Sequence, residues 1–334
     1  MKRKNWQLAG LLLALTLIFG VCAGCSPKKG SGTANAKPKV VISYAGGTCE
    51  APIFAAYHQG FFEEEGLEVE LIQAGFEQLK LGLDTATIDA TMANFAWFKP
   101  IEQGLRIKLT GGIHTGCIKA VIPPDSDIRS FADLKGKTIG VDAIGAGPQI
   151  ALSAKLREAG LNPALDVNWV AYPGPQLDEA IAKGEIAAYM TWDPFPTQAH
   201  DQRGYKYLLD IGADEPFENQ YCCFVGVAGP LVETNPEVAA KITRALLKAS
   251  EWVGQNPEEA ARISIENNYI GGDIALNAQL LGSYDWEPSI SRAKENVRWF
   301  IRELKAQGIL EESTSEDNLY SATFAELIPD YNGK

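Results

Sequence analysis

Residues 40–73 read VVISYAGGTCEAPIFAAYHQGFFEEEGLEVELIQ and contain a complete strand–helix–strand unit. The β-branched run at 40–44 predicts a strand, the apolar stretch 51–65 predicts a helix, and 68–73 predicts a second strand. A strand, a helix and a strand in this order place the two strands in a parallel arrangement, because the helix carries the chain back to the start of the sheet. The fold class predicted from this stretch is α/β.

The same alternation recurs along the chain. Further strands are predicted at 138–141, 167–172, 187–192 and 221–228. Further helices are predicted at 78–84, 148–159, 176–183, 236–256, 257–267, 275–283 and 289–307. No repeat of 20–50 residues is visible in the sequence, which argues against a solenoid or a propeller. The order of elements predicts two α/β units, each with its own parallel sheet.

An apolar segment at 107–122 ends at Pro123-Pro124 and is predicted as one long strand that leaves the first unit. A second crossover returns the chain to that unit. Two α/β units joined by two crossover strands predict a two-lobed fold that closes like a clamp on a ligand. The predicted lobe 1 comprises residues 40–122 and 216–334, and the predicted lobe 2 comprises residues 123–215.

The amino terminus has the features of a secretory signal peptide at residues 1–24. Three basic residues, Lys2, Arg3 and Lys4, precede an apolar run that is too short to span a bilayer. The run ends in VCAGC, which resembles a bacterial lipobox with Cys22 in place of the usual Leu. Cys25 is therefore predicted to be lipidated, with an ordinary secretory signal as the alternative.

Residues 25–39 are small and polar, so they are predicted to form a flexible tether between the lipid anchor and the folded body. Removal of residues 1–24 leaves 27 basic side chains against 42 acidic ones, a net charge of −15. This charge disfavours nucleic acid and anionic membrane surfaces as partners. The lipid is thus the only predicted membrane contact.

Several glycine-containing motifs have structural explanations. Gly60 is predicted to end a helix with positive φ, and Gly66 is predicted to turn the chain into the next strand. Gly136-Lys137-Thr138 fails the phosphate-loop pattern, because Phe131 stands where that pattern requires a glycine and a strand follows instead of a helix. The sequence predicts no nucleotide cofactor.

The chain resembles the nitrate/sulfonate/taurine/thiamine-pyrimidine group of periplasmic binding proteins over about residues 40–310. The resemblance rests on residues 51–56 (APIFAA), 60–69 (GFFEEEGLEV), 130–141 (SFADLKGKTIGV), 180–194, 235–237 and 256–261. It implies a type II periplasmic-binding fold, and it implies that the protein delivers a solute to the permease subunits of an ABC importer, acting as a monomer. It does not identify the solute.

Ligands of open parallel sheets bind beyond the carboxyl ends of the strands, so the loops after each predicted strand provide the candidate site. The predicted ligand-binding residues are Tyr44, Thr48, Glu50, Phe76, Glu77, Asn94, Phe95, His114, Cys117, Gly145, Gly147, Tyr172, Trp192, Asp193 and Phe195. The helix opening at 145–148 also offers free backbone N–H groups.

These loops carry many aromatic rings and three acids, Glu50, Glu77 and Asp193, but no Arg or Lys. A compact ring-bearing solute with hydrogen-bond donors, such as a thiamine-pyrimidine-like molecule, fits this composition better than a strongly anionic solute. The ring is expected to stack on Trp192 or Phe195 while Asp193 or Glu50 accepts its N–H groups. Sulfonate, taurine or nitrate is the alternative.

The cysteines outside the signal region are Cys49, Cys117, Cys222 and Cys223. Four thiols in a secreted chain allow three pairings if all of them are bridged. Cys117 and Cys222 become neighbours if the two crossover strands pair, and only one of the two vicinal cysteines can face the cleft. A disulfide or buried thiols are favoured, with a soft-metal site that includes His114 and Glu50 as the alternative.

An enzyme is the second functional hypothesis. The segment 221–224 (YCCF), followed by Gly229, resembles the cysteine-rich signature of yeast-type thiamine-pyrimidine synthases. The first cysteine of that signature is Tyr221 here, and residues 92–95 (MANF) replace the Lys and His of those enzymes. His58, His114 and His200 are the only histidines and match no nucleophile motif. A non-enzymatic binding protein is therefore predicted, and a structural or adhesive role is the third hypothesis.

Overall fold

The computed structural model describes residues 37–328 and 331. The predicted signal peptide, Cys25 and the tether up to residue 36 lie outside the described residues. Within the described part, no helix has both the length and the apolarity needed to cross a bilayer.

Eleven strands and thirteen helices are present in the described part. The strands are β1 (Lys39–Tyr44), β2 (Glu68–Gln73), β3 (Ala90–Asn94), β4 (Ile107–Thr115), β5 (Ile118–Ile122), β6 (Thr138–Val141), β7 (Asn168–Ala171), β8 (Ala188–Trp192), β9 (Lys206–Asp210), β10 (Tyr221–Ala228) and β11 (Trp286–Ser289). The helices are α1 (Ala51–His58), α2 (Phe61–Glu64), α3 (Phe76–Thr85), α4 (Phe98–Glu102), α5 (Gly147–Glu158), α6 (Gly174–Ala182), α7 (Phe195–Arg203), α8 (Gly229–Thr234), α9 (Pro236–Gln255), α10 (Pro257–Glu266), α11 (Ile274–Ser283), α12 (Ile290–Ala306) and α13 (Glu316–Thr323).

The strands form two sheets. The first sheet has the order β11-β4-β10-β3-β1-β2, and the second has the order β7-β6-β8-β5-β9. As predicted, β1 pairs in parallel with β2, and β6 pairs in parallel with β7 and β8. β3 also pairs in parallel with β1. The crossover strands β4, β5 and β10 make both sheets mixed, because they pair antiparallel with their neighbours.

The predicted single strand at 107–122 is two strands in different sheets. The chain turns at Gly116, whose φ of +61° is in the left-handed region, and Cys117 follows it before β5 begins. The first crossover therefore lies at residues 116–117, and β5 belongs to the second sheet although the prediction placed it in lobe 1. The return crossover runs from the end of β9 at Asp210 to the start of β10 at Tyr221.

The predicted helix at 51–65 is likewise two helices, because Gly60 adopts a φ of +79° between α1 and α2. A positive φ at this glycine, like the +74° at Gly66, agrees with the sequence prediction. The carboxy-terminal helices match the prediction closely. Asn235 caps α9 by accepting a hydrogen bond from the Val238 amide at 3.3 Å, and Pro236 occupies the first helical position, where it costs no hydrogen bond.

Candidate functional site

A cavity of about 850 Å³ lies where loops from the two sheets face each other. Residues 45–47 after β1 and Asn94 at the end of β3 contribute from the first sheet. Residues 171–175 after β7 and Trp192 at the end of β8 contribute from the second sheet. These are carboxyl ends of parallel strands, where open α/β sheets bind ligands. The aromatic side chains of the wall are Phe76, Trp97, Tyr172, Trp192, Phe195 and Tyr269.

Glu50 organises the loop that follows β1. Its buried carboxylate accepts hydrogen bonds from the backbone amides of Ala45 at 2.9 Å, Gly46 at 2.7 Å and Gly47 at 2.9 Å. Burial raises the pKa of Glu50 to about 7, although the three amide hydrogen bonds act in the opposite direction. Because both carboxylate oxygens bind the loop, Glu50 shapes this part of the wall and has little capacity left for a ligand.

Asp142 is an acid that the sequence analysis did not select. The indole Nε1–H of Trp192 donates a hydrogen bond to its Oδ2 at 3.1 Å, whereas its buried Oδ1 has no hydrogen-bond partner. Burial raises the pKa of Asp142 to about 6 against the lowering effect of the Trp192 hydrogen bond and nearby backbone amides. Asp142 lines the cavity, and a buried acceptor without a partner is costly.

Asp193 is fully buried at the junction of the two sheets. Its carboxylate accepts hydrogen bonds from Lys119, from Thr197 Oγ1 at 2.6 Å and from Tyr284 Oη at 3.1 Å. Burial alone would lower the pKa of Lys119, but the nearby Asp193 and Asp210 raise it. The backbone carbonyl of Asp193 also accepts a hydrogen bond from the Thr48 amide at 3.0 Å, which links the second sheet to the loop after β1. This aspartate therefore has its partners within the protein.

A cluster of sulfur and imidazole groups lies at the inner end of the cavity. Cys117 and Cys222 form a disulfide, whereas Cys49 and Cys223 are free, buried and part of the cavity wall. Although burial would raise the pKa of Cys223, the neighbouring Cys49 and His114 lower it to about 6. The adjacent Cys223 and burial raise the pKa of Cys49. The cluster therefore combines one acidic thiol, one weakly acidic thiol and an imidazole.

A model of the NMT1-like family matches residues 33–266, which is more than half of the chain. The chain belongs to the NMT1-like family. It is 23% identical over 250 residues to the nitrate/nitrite binding protein NrtA of Nostoc sp. (strain PCC 7120), covering 66% of this chain and 56% of that protein. It thus matches little more than half of that relative's length.

A second relative and a solved structure agree with this assignment. The formylaminopyrimidine-binding protein of Halalkalibacterium halodurans is 22% identical over 281 residues, covering 79% of each chain. The alkanesulfonate-binding protein SsuA of Xanthomonas axonopodis pv. citri superimposes with a TM-score of 0.70 at 16% identity, covering 88% of this chain and 99% of that one. This similarity confirms the predicted two-lobed, type II periplasmic-binding fold. These three proteins are named as binding proteins.

The structure brings six of the predicted site residues together on the cavity wall: Glu50, Phe76, Asn94, Tyr172, Trp192 and Phe195. Three others pack directly behind it. Tyr44 contacts Phe54 edge-on, with ring centroids 5.1 Å apart, and Thr48 is buried with its hydroxyl bonded to Asn277. Asp193 occupies the buried position described above.

The remaining predicted residues have other surroundings. Phe95 stacks on Phe300 in the core, with ring centroids 5.1 Å apart. Glu77 is exposed and pairs with Lys80, and the amide of Gly145 donates to the Gln149 side chain at 2.6 Å. Gly147 begins α5 beside the wall. The last two, His114 and Cys117, belong to the cluster of sulfur and imidazole groups at the inner end of the cavity.

Sequence reasoning missed Gln73, Met92, Asp142 and the segment 268–271, all of which line the cavity. Asp142 could have been found, because it directly follows the strand predicted at 138–141 and therefore lies at the carboxyl edge of the sheet. The segment 268–271 follows a helix rather than a strand, so the rule that selected the other loops does not reach it.

Proposed function

We propose that this protein is the extracytoplasmic solute-binding component of an ABC importer and that it captures a small ring-bearing solute in the cavity between its two sheets. The cavity volume of about 850 Å³ falls in the range typical of small-molecule sites. Relatives named for binding nitrate and nitrite, formylaminopyrimidine and riboflavin support the general role. The observation that carries the proposal is the composition of the cavity wall.

The wall favours a neutral or cationic ring over an anion. Within the described residues, no Arg or Lys lines the cavity, whereas six aromatic side chains and Asp142 do, and the buried Oδ1 of Asp142 has no hydrogen-bond partner. A nitrate or sulfonate would approach the Asp142 carboxylate without a compensating cation. A ring with N–H donors would stack on an aromatic face and satisfy Oδ1 at the same time.

Individual side chains supply the orientation. The indole of Trp192 is held by its hydrogen bond to Asp142, so its face is fixed beside the acceptor that would receive the solute's donor. The amide side chains of Gln73 and Asn94 lie on the opposite, first-sheet side of the cavity. A solute bound between these groups would contact both lobes and stabilise the closed form over the open one.

A thermal-shift screen followed by titration calorimetry tests this proposal. The panel contains thiamine pyrimidines, riboflavin, aromatic acids, taurine, other sulfonates, nitrate and bicarbonate. A true ligand at 100 times its Kd adds about 2.7 kcal/mol to the free energy of unfolding. We expect a donor-bearing ring compound to stabilise the protein, and Asp142→Ala to weaken its binding at least tenfold, or about 1.4 kcal/mol. Tight binding of nitrate or a sulfonate that is unaffected by Asp142→Ala would overturn the assigned solute class.

Delivery to the importer completes the proposed function. We propose that the protein acts as a monomer, that Cys25 carries the lipid that retains it at the membrane, and that the bound solute passes unchanged to the permease subunits. Changing Cys25→Ser should move the protein from the membrane fraction to the soluble fraction. Incubation of the bound ligand with the protein should return it chemically intact, whereas a turnover product would favour the enzyme hypothesis.

A further inference from the structure

Four buried side chains converge at the inner end of the cavity. The Sγ atoms of Cys49, Cys117 and Cys223 and a ring nitrogen of His114 all lie within 4.8 Å of one another. In a tetrahedral zinc site, with Zn–S distances of 2.3 Å, neighbouring sulfurs lie about 3.8 Å apart. Small side-chain rotations are therefore enough to bring Cys49, Cys223 and His114 onto one ion.

The surroundings of His114 prepare it as a ligand. Its Nδ1 lies 3.0 Å from the carbonyl oxygen of Thr115, so Nδ1 donates, and in the neutral ring the lone pair is on Nε2. Nε2 is buried and has no hydrogen-bond partner. The ring stacks on Tyr284, with centroids 5.0 Å apart, and also contacts Trp286 at 4.6 Å. A ring held by neighbours, with its second nitrogen donating to a backbone carbonyl, is the usual arrangement of a metal-binding histidine.

The two free thiols are equally well positioned. Cys223 pairs with His114 across the β10–β4 ladder, so both are set by the sheet. Cys49 lies in the short 3-10 turn Thr48–Glu50, and the loop before this turn is fixed by the three amide hydrogen bonds to Glu50. Each ligand therefore sits on backbone that is already ordered, which limits the entropy lost on metal binding.

We propose that Cys49, Cys223 and His114 form a binding site for a thiophilic d10 cation, Zn²⁺ or Cu⁺, with an open coordination position on the cavity side. Two thiols and one imidazole are ligands that these ions prefer, and Mg²⁺ and Ca²⁺ do not. Both sulfurs bind as thiolates, so binding displaces any proton that they still carry. Cys117 is held in its disulfide with Cys222, so it becomes a fourth ligand only after reduction of that bond.

The open position follows from the location of the thiols. Cys49 and Cys223 both line the cavity, so a metal ion bound between them is accessible from the solute side. Three protein ligands and one free position characterise zinc sites that bind an exogenous molecule, whereas structural sites use four protein ligands. The proposal goes beyond the solute-binding role, and its test uses the metal alone.

Cobalt titration of the full chain tests the site. Cys22→Ser and Cys25→Ser are introduced throughout, so that thiols near the amino terminus do not compete, and the protein is stripped with EDTA under anaerobic conditions. We expect one Co²⁺ per chain, with intense tetrahedral d–d bands and a thiolate-to-cobalt charge-transfer band that Zn²⁺ abolishes. A parallel competition against a Cu⁺ chelator of known affinity distinguishes Cu⁺ from Zn²⁺. The proposal is overturned if the folded protein, with free thiols at Cys49 and Cys223, fails to bind Co²⁺ stoichiometrically.

Variants assign the ligands. Cys49→Ser, Cys223→Ser and His114→Gln should each weaken Co²⁺ binding more than tenfold. The matched control, Cys117→Ser together with Cys222→Ser, should bind Co²⁺ with the same charge-transfer band. Unchanged affinity in folded Cys49→Ser and Cys223→Ser proteins overturns the ligand assignment.

Thiol protection provides a measurement that does not depend on the variants folding. Zn²⁺ should slow alkylation of Cys49 and Cys223 in the chain that retains both thiols, as mapped by peptide mass spectrometry. Equal alkylation rates with and without Zn²⁺ overturn the proposal.

Discussion

A disulfide joins Cys117 to Cys222, two residues that are 105 positions apart in the sequence. Cys117 lies where the chain leaves the first sheet, and Cys222 lies in β10, where the chain has returned to it. The bond therefore ties the first crossover to the strand that follows the return crossover. It restricts the unfolded chain strongly, because it closes a loop that contains the whole second sheet.

Replacing both bridged cysteines should lower the stability of the protein. For a loop of this length, loss of the crosslink in Cys117→Ser/Cys222→Ser is expected to reduce the free energy of unfolding by about 2–5 kcal/mol. Guanidinium unfolding monitored by circular dichroism measures the change. Reductant should lower the unfolding midpoint of the unmodified chain and leave that of the double variant unchanged. Equal midpoints without reductant would contradict the prediction.

Much of the fold could be predicted from the sequence because strands and helices alternate with clear patterns of apolar residues. The division of residues 107–122 between two sheets could not. Apolar residues recur along the whole segment, and every residue of β5 is buried, so periodicity carries no sign of the change of sheet. Only the left-handed backbone at Gly116 marks it.

The candidate site was predictable as a set of loops but not as a set of contacts. The rule that ligands bind at the carboxyl ends of parallel strands selected Trp192 and Phe195, since Trp192 ends a strand that the sequence reveals and Phe195 follows it. It could not show that Asp193 is occupied by Lys119 and Tyr284, which lie 74 and 91 positions away, while Asp142 keeps a free oxygen. Hydrogen bonds between residues so far apart in sequence leave no local pattern.

The buried ion pair between Lys119 and Asp193 should be important for stability. The Asp193 side chain is fully buried and that of Lys119 is 10% exposed, so removal of the cation leaves an uncompensated carboxylate. Lys119→Met is expected to lower the free energy of unfolding by about 3–5 kcal/mol. Lys183→Met is the control, because its pair with Glu179 is exposed and should contribute little to stability. Similar small losses in both variants, measured by denaturant unfolding, would refute the prediction.

The raised pKa of Asp142 predicts a pH-dependent stability. In the folded protein its pKa is about 6, compared with 3.8 for an unperturbed aspartate, so the folded state binds the proton more tightly. This carboxyl group therefore makes the free energy of unfolding fall as the pH rises from about 4 to about 6. Asp142→Asn keeps an oxygen acceptor for Trp192 and removes the titration. The variant should gain stability relative to the unmodified chain across this range, by up to about 3 kcal/mol.

Denaturant unfolding of both proteins at a series of pH values provides the measurement. The difference in the free energy of unfolding between variant and unmodified chain should be smallest near pH 4 and reach a plateau above pH 7. Other titrating groups contribute equally to both curves and cancel in the difference. A difference that is constant with pH would show that the carboxyl group of Asp142 is not perturbed.

Gly147 lies at a close approach between the two lobes, and a methyl group there should hinder closure. A Cβ at this position would lie 3.2 Å from Oδ1 of Asn94, in the first sheet, and 3.1 Å from the Trp192 ring. Asn94 cannot move away easily, because its Oδ1 also accepts a hydrogen bond from the Ala96 amide at 2.8 Å. Gly147→Ala is therefore expected to weaken binding of the best solute from the screen at least tenfold, or about 1.4 kcal/mol.

Stability of the ligand-free protein should change less than affinity does in Gly147→Ala, since separation of the lobes removes the contact with Asn94 and leaves only the contact with the Trp192 ring. Gly75→Ala is the matched control: Gly75 also lines the cavity and precedes a helix, but a Cβ there would meet no atom within 4 Å. Calorimetry measures the affinities, and small-angle scattering measures whether added solute reduces the radius of gyration. The control should close and bind as the unmodified chain does. If Gly147→Ala closes to the same radius with undiminished affinity, the approach of residues 94 and 147 does not limit closure.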